Sequence, residues 1–305
     1  ERSDGSSHAV MDAVRGNNKK IMPNTNDAES TETQYITSFN SDGFSIGQNN
    51  GINQSGQTNV AWNWKANGQG SSNTDGSINT TYTSANTTAG FSIVKYTGNQ
   101  TNGATVGHGL GAVPKMIIIK NLNDAEHWTV YHDKLSTGHQ LYLNISNAQN
   151  DDASEYYDTT PTSSVFTLGN SDRTNNVNIP YIAYCFAEKK GFSKFGSYTG
   201  NGSTNGTFIY TGFKPAFVII KCFSESQDWV MFDNKRDPHN VVAEYLRPNQ
   251  ANAASSGTNY MDFTSNGIKH RVNDTWTNGN NKNYIYMAFA ENPIVGSNNI
   301  PATAR

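Results

Sequence analysis

The stretch Pro215-Ala216-Phe217-Val218-Ile219-Ile220-Lys221 and its twin Pro114-Lys115-Met116-Ile117-Ile118-Ile119-Lys120 decide the fold. Each is a short apolar run rich in β-branched residues and closed off by Asn, Ser, Asp and Gly, which is strand and turn chemistry. The uninterrupted run Phe217-Val218-Ile219-Ile220 predicts a strand covered on both faces. Proline leads both runs, at a strand start where its missing N–H removes no ladder bond.

Outward from these runs the chain repeats itself. Gly90-Phe91-Ser92-Ile93-Val94-Lys95-Tyr96-Thr97-Gly98-Asn99 returns, with one inserted residue, as Gly191-Phe192-Ser193-Lys194-Phe195-Gly196-Ser197-Tyr198-Thr199-Gly200-Asn201. Trp128 returns as Trp229, and Tyr181-Ile182-Ala183-Tyr184-Cys185-Phe186-Ala187-Glu188 as Tyr284-Ile285-Tyr286-Met287-Ala288-Phe289-Ala290-Glu291. Recurrence in one order marks a repeat architecture. Short strands with frequent turns predict an all-β protein of tandem antiparallel β-sandwich, jelly-roll-like repeats.

The start of the chain fits only the back half of this unit. Asp12-Ala13-Val14-Arg15 resembles Asp233-Asn234-Lys235-Arg236, and Met22-Pro23-Asn24 resembles Arg247-Pro248-Asn249. Ser38-Phe39-Asn40-Ser41-Asp42-Gly43-Phe44 follows Asp262-Phe263-Thr264-Ser265-Asn266-Gly267-Ile268, and Val60-Ala61-Trp62-Asn63-Trp64 stands where the closing strand would be. The division expected is a truncated unit over 1–70, a polar linker or lone strand over 71–89, complete units over 90–190 and 191–293, and a tail over 294–305. The strands absent before Asp12 would leave edges and half a core exposed. An upstream segment or a neighbouring chain is expected to supply them. Candidate short helical turns lie over Asp237–Leu246 and Lys134–Leu143.

Composition narrows the function class. Charged residues are 15% of the 305, the net charge is −3 and aromatics are 11%. Mean hydropathy is −0.65. Disordered chains pair low hydrophobicity with high net charge, so this balance describes a folded protein with long polar loops. It gives no electrostatic basis for nucleic-acid binding, which needs concentrated Lys and Arg. No run of 18 or more apolar residues spans a membrane. Cys185 and Cys222 sit within apolar runs and read as buried thiols. The Glu1 start reads as a fragment or processed product.

Four stretches together resemble a known family: Ser41-Asp42-Gly43-Phe44, Val60-Ala61-Trp62-Asn63-Trp64-Lys65-Ala66, Gly107-His108-Gly109-Leu110-Gly111-Ala112-Val113-Pro114-Lys115 and Tyr286-Met287-Ala288-Phe289-Ala290-Glu291-Asn292-Pro293. The combination is similar to repeat proteins of tailed bacteriophages, especially marine ones, often found downstream of a concanavalin-like lectin domain. The resemblance implies a virion structural protein at the particle surface: a tail-fibre, receptor-binding or host-attachment component, or a surface decoration protein. Its implied partners are other virion subunits, copies of itself and a host cell-surface glycan. Members usually carry the first half of the leading unit, so the start of this chain departs from the pattern. No enzyme activity and no cofactor is expected.

The candidate constellations support that expectation. Glu188 and Glu291 would be the acid pair of a polysaccharide-cleaving tailspike, yet each ends the same strand of a different repeat and the truncated unit has Ala66 there. His127 and His132 are an odd number apart, so on one strand they face opposite ways and cannot share a metal. Asn150-Asp151-Asp152 and Asn170-Ser171-Asp172 offer oxygen ligands for calcium but fit Asx turns. Gly107-x-Gly109-x-Gly111 precedes a strand, whereas phosphate loops follow one. Trp128 and Trp229 are repeat-equivalent packing residues, and Trp62 and Trp64 share one face of a packed patch. Trp276 has no aromatic counterpart in the middle repeat and is the candidate contact to glycan or to a neighbouring subunit.

Overall fold

The computed structural model describes residues 3–156 and 158–291. The first unit contains β1 (Val10–Asp12), β2 (Gly16–Ile21), β3 (Ser30–Thr31), β4 (Ile36–Phe39), β5 (Phe44–Ile46) and the single turn α1 (Asn50–Asn53). The second contains β6 (Tyr82–Asn86), β7 (Phe91–Thr97), β8 (Ala104–Gly107), β9 (Met116–Asn121), β10 (Thr129–His132), β11 (His139–Tyr142), β12 (Asn150–Asp151), α2 (Ala153–Tyr156), β13 (Val165–Leu168) and β14 (Pro180–Phe186). The third contains β15 (Ser193–Thr199), β16 (Phe208–Tyr210), β17 (Pro215–Cys222), β18 (Val230–Asp233), β19 (Met261–Thr264), β20 (Gly267–His270) and β21 (Asn283–Ala290). Every strand pairing within these sheets is antiparallel.

Each complete unit is a sandwich. In the second unit the sheet β12-β11-β10-β9-β14-β7-β6 faces the pair β13-β8. In the third, β15-β21-β17-β18 faces β16-β20-β19. Alternation along the strands feeds two cores. On β17, Val218 and Ile220 enter the sandwich core, while Phe217 and Ile219 point the other way into a second core. On β9, Ile117 and Ile119 do the first and Met116 and Ile118 the second. The coverage of these strands on both faces is thus realised.

The second core belongs to all three units. Val14 and Ile21 of the first unit, Phe91 and Phe186 of the second, and Phe195 and Phe289 of the third are buried in it, with Trp62 and Trp64 packed against them. The sheets are therefore closed around a common centre, not strung out in line. Three equivalent contacts fasten the ring. The Trp128 indole donates to the Met22 carbonyl (3.1 Å) and the Trp229 indole to the Tyr142 carbonyl (3.0 Å). His8 Nε2 lies 3.0 Å from the Arg247 carbonyl, and since a carbonyl only accepts, Nε2 carries the proton.

These positions correspond because His8, Trp128 and Trp229 each donate their backbone N–H to an asparagine, Asn24, Asn144 and Asn249, two residues beyond the accepting carbonyl. The second unit thus holds the first, the third holds the second, and the first holds the third. Lysines add to two of the joints. Buried Lys120 donates to the Asn26 carbonyl (3.2 Å) and buried Lys221 to the Ser146 carbonyl (2.9 Å), again at matching places. Burial pulls both ammonium pKa values down, to about 8.

Three expectations change. The helical turns over Lys134–Leu143 and Asp237–Leu246 do not form. In the first, residues 139–142 are recruited as β11 against β10, which turns Leu141 into the shared core. In the second, the Asp237 carboxylate accepts from the N–H groups of Ala243 (2.7 Å) and Glu244 (2.5 Å), a loop closure that competes with helix. Val60–Trp64 carries its indoles into the shared core but joins no ladder. Of the two readings of 71–89, the strand is found: β6 pairs with β7, and Ile78 is buried. The tail over 294–305 lies outside the described residues. Among those described, no helix is long and apolar enough to cross a membrane.

Candidate functional site

The residues singled out in the sequence resolve mostly into framework. Glu188 accepts from Lys194 Nζ at 2.8 Å, and Glu291 is ion-paired with Lys235, which holds its carboxyl below the usual range. Each acid has its own local cation at its own strand end. His127 lies ahead of β10, where it is hydrogen-bonded to Asn144 (2.9 Å). His132 ends the strand, fully buried, with Nε2 3.3 Å from the Tyr286 carbonyl, and burial lowers its pKa to about 4. Among the described residues no group of three or more His, Cys, Asp or Glu could hold a metal.

The polar clusters do turn chemistry. Asp152 accepts from the Ser154 N–H (3.1 Å) and hydroxyl (2.6 Å), while Ser171 Oγ accepts from the Arg173 N–H (3.2 Å). Gly109 and Gly111 take positive φ in the turn after β8. Cys185 and Cys222 are buried free thiols, and burial raises the Cys185 thiol to about 12.

Trp276 packs back on its own unit. Its ring lies 5.5 Å from that of Tyr245, and the Arg247 guanidinium sits over it at 5.3 Å. The middle repeat makes the same contact with the partners exchanged, Arg173 over Tyr142 at 5.3 Å. Asn175 and Asn278 anchor the two loops alike through backbone carbonyls, which puts Arg173 and Trp276 at one position. The tryptophan therefore has a structural partner, although it stays partly exposed.

A different surface carries aromatic groups that the fold leaves uncovered. On β16, Ile209 is buried while Phe208 and Tyr210 on either side are 46% and 63% exposed. The register places Lys269 beside Phe208 and Gly267 beside Tyr210, with Asp262 and Thr264 next across. Directly opposed residues share a face, so one outer sheet face presents two aromatic rings beside half-buried Lys269 and Thr264, while Asp262 on that face is buried under its ion pair with Arg271. Gly267 is required there, because a Cβ would meet the Ile209 carbonyl at 2.2 Å and the Phe208 ring at 2.8 Å. Arg271 donates to Asp262 at 2.7 Å at the margin.

The second unit shows why this face is distinctive. Gly109 and Gly212 occupy the same turn, so Thr105 and Gly107 stand where Phe208 and Tyr210 stand. There the strand is covered: Ile78 donates to the Thr105 carbonyl (2.9 Å), Ser77 and Thr105 exchange hydrogen bonds, and a Cβ on Gly107 would collide with Asn73. The short connection into the third unit provides no such cover. Periodicity alone reads Phe208-Ile209-Tyr210 as ordinary strand. Only the exchange of Thr and Gly for Phe and Tyr at matched outward positions signals the site.

No curated protein and no solved structure matches the chain. The family model described as a domain of unknown function, DUF7483, matches residues 1–293, and the chain therefore belongs to that family.

Proposed function

We propose that this chain is a binding module of a phage virion, acting in host attachment, and that the face bearing Phe208 and Tyr210 contacts a cell-surface glycan. The exposed aromatic pair is the observation that carries the reading. Two rings on one strand, two positions apart, sit about 7 Å from each other along it, a spacing that lets flat apolar faces of successive sugar rings stack. Half-buried Lys269 and Thr264 and the exposed Arg271 supply adjacent polar groups. The resemblance to tail-fibre-type repeat proteins supports placing this module on the virion surface.

A surface decoration protein with only subunit contacts is the second reading, favoured by the open strand edges of the first unit. Binding to host cells and to an array of host-derived glycans separates the two. Phe208→Ala/Tyr210→Ala should weaken binding by about tenfold or more, as expected for losing two aromatic contacts of about 1 kcal/mol each, with an unchanged melting temperature. Undiminished binding by that variant would remove the glycan assignment.

A further inference from the structure

The loop after β18 is longer than its counterparts. From the donating backbone N–H to the anchoring asparagine is 16 residues in the first and second units, His8 to Asn24 and Trp128 to Asn144, but 20 in the third, Trp229 to Asn249. The Asp233–Arg236 pair matches Asp12–Arg15. The extra residues of the third unit therefore fall between Arg236 and Arg247.

Those residues wall a hollow. The loop leaves β18, an edge of one sheet, and Val242 bridges to Met261 of β19, an edge of the other. Beside it lies a cavity of about 340 Å³, lined by Lys214, Asn234, Asp237, His239, Val242 and Phe263 among others. In the second unit Asp133, Ser136 and Gly138 stand where Asn234, Asp237 and His239 stand, and the cavity there is about 100 Å³. Only the larger one reaches the size of a small-molecule site.

The walls are set in advance. The Asn240 side chain donates to the Phe263 carbonyl (3.1 Å) and accepts from the Phe263 N–H (2.9 Å), which stitches the loop to β19. Asp237 Oδ2 takes the Ala243 and Glu244 N–H groups. A site fixed in this way spares the ordering cost of binding. Polar groups of both senses are left over. Among the described residues Lys214 and His239 donate no hydrogen bond, and Asp237 Oδ1 and the Asn234 side-chain carbonyl accept none. Val242 and Phe263 are buried and give an apolar floor. The charges of Lys214 and Asp237 cancel, which favours an uncharged ligand.

We infer that this hollow binds a single uncharged sugar residue. Lys214 and His239 donate to its hydroxyls, Asp237 and Asn234 accept from them, and the apolar floor takes a C–H face of the ring. The site is separate from the outer aromatic face, since Phe263 points into the sandwich core while Phe208 and Tyr210 stand outside it. It does not depend on the reading of that face.

Titration of the isotope-labelled full chain with methyl glucoside, methyl galactoside and methyl mannoside, followed by amide chemical shifts, tests this. At least one of the three should shift the His239 and Val242 amides and saturate in the millimolar range. Lys214→Ala/His239→Ala should weaken that binding by about tenfold, as expected for losing hydrogen bonds to the ligand, with an unchanged melting temperature. Phe208→Ala/Tyr210→Ala should leave it as it is, whatever that variant does to binding of longer glycans. Three observations would each overturn the assignment: no shift at His239 and Val242 with any of the sugars, equal saturation by the Lys214→Ala/His239→Ala variant, or tighter binding of glucuronate than of methyl glucoside.

Discussion

Trp64 meets Phe289 edge to face, with ring centroids 5.7 Å apart and planes at 69°. Phe186 lies 6.3 Å from Trp64 and 6.2 Å from Phe289, so one aromatic from each unit forms a triangle at the centre of the molecule. Glu188 and Glu291, with Ala66, follow these three by the same two residues. The repeat is thus built to converge, and stability belongs to the ring more than to any unit within it.

Truncating Trp64 should therefore destabilise the protein as a whole. Trp64→Ala removes a large ring that three units share and should cost about 3–5 kcal/mol. Denaturant unfolding followed by tryptophan fluorescence and by far-ultraviolet circular dichroism should give one coincident transition, shifted to lower denaturant.

A second prediction concerns the joints between units. Arg15 binds Asp12 (2.6 Å), which also accepts from the Tyr184 hydroxyl (2.7 Å) of the second unit. Arg236 binds Asp233 (2.5 Å) and lies over Trp62 of the first unit at 5.7 Å. The second unit has His132 and Leu135 at these places. Arg15→Ala should cost about 3–5 kcal/mol by stranding a buried carboxylate. Asp12→His/Arg15→Leu, which copies the second unit, should cost clearly less. Chemical denaturation of the two variants compares them.

His270 is buried with neither ring nitrogen hydrogen-bonded, stacked 5.1 Å from Tyr198. Its counterpart in the second unit is the fully buried Leu168. An unpartnered buried polar group is costly, so His270→Leu should stabilise by about 1–2 kcal/mol. A rise in melting temperature with unchanged far-ultraviolet spectrum checks this.

Acid should loosen the fold early. Burial lowers the pKa of His132 to about 4 and of His270 to about 3, against the ordinary 6.5. A histidine kept neutral in the fold contributes stability that is complete above about 6.5. It is lost as pH falls toward the folded value, because the unfolded chain binds the proton first. Each histidine should cost about 1.4 kcal/mol per pH unit over that window. Glu155 and Asp274, whose carboxyls burial raises, oppose this trend. His270→Leu should flatten the acid limb of a stability-versus-pH curve.

The repeat, the strand class and the packing role of Trp128 and Trp229 were legible because apolar runs, prolines and tryptophans recur in register. The closure of the ring was not, because the first unit fills the tryptophan position with His8, which keeps the hydrogen bond while discarding the signature. The candidate helical turns near Lys134 and Asp237 do not form, because β11 pairs with β10 at the first and the Asp237 carboxylate closes a loop at the second. Trp276 drew attention as an aromatic without a counterpart, yet its partner Arg247 exchanges places with the Arg173 and Tyr142 of the middle repeat. Phe208 and Tyr210 escaped notice because an alternating aromatic strand looks like any half-buried strand until its covering neighbour proves missing.

The closed arrangement of the three units is tested most directly by nuclear Overhauser spectroscopy on the intact chain, read at the Trp64 ring protons. Cross-peaks from Trp64 to the rings of both Phe186 and Phe289 are predicted. Cross-peaks to neither ring, in a folded sample that retains the internal contacts of the second and third units, would contradict the shared core.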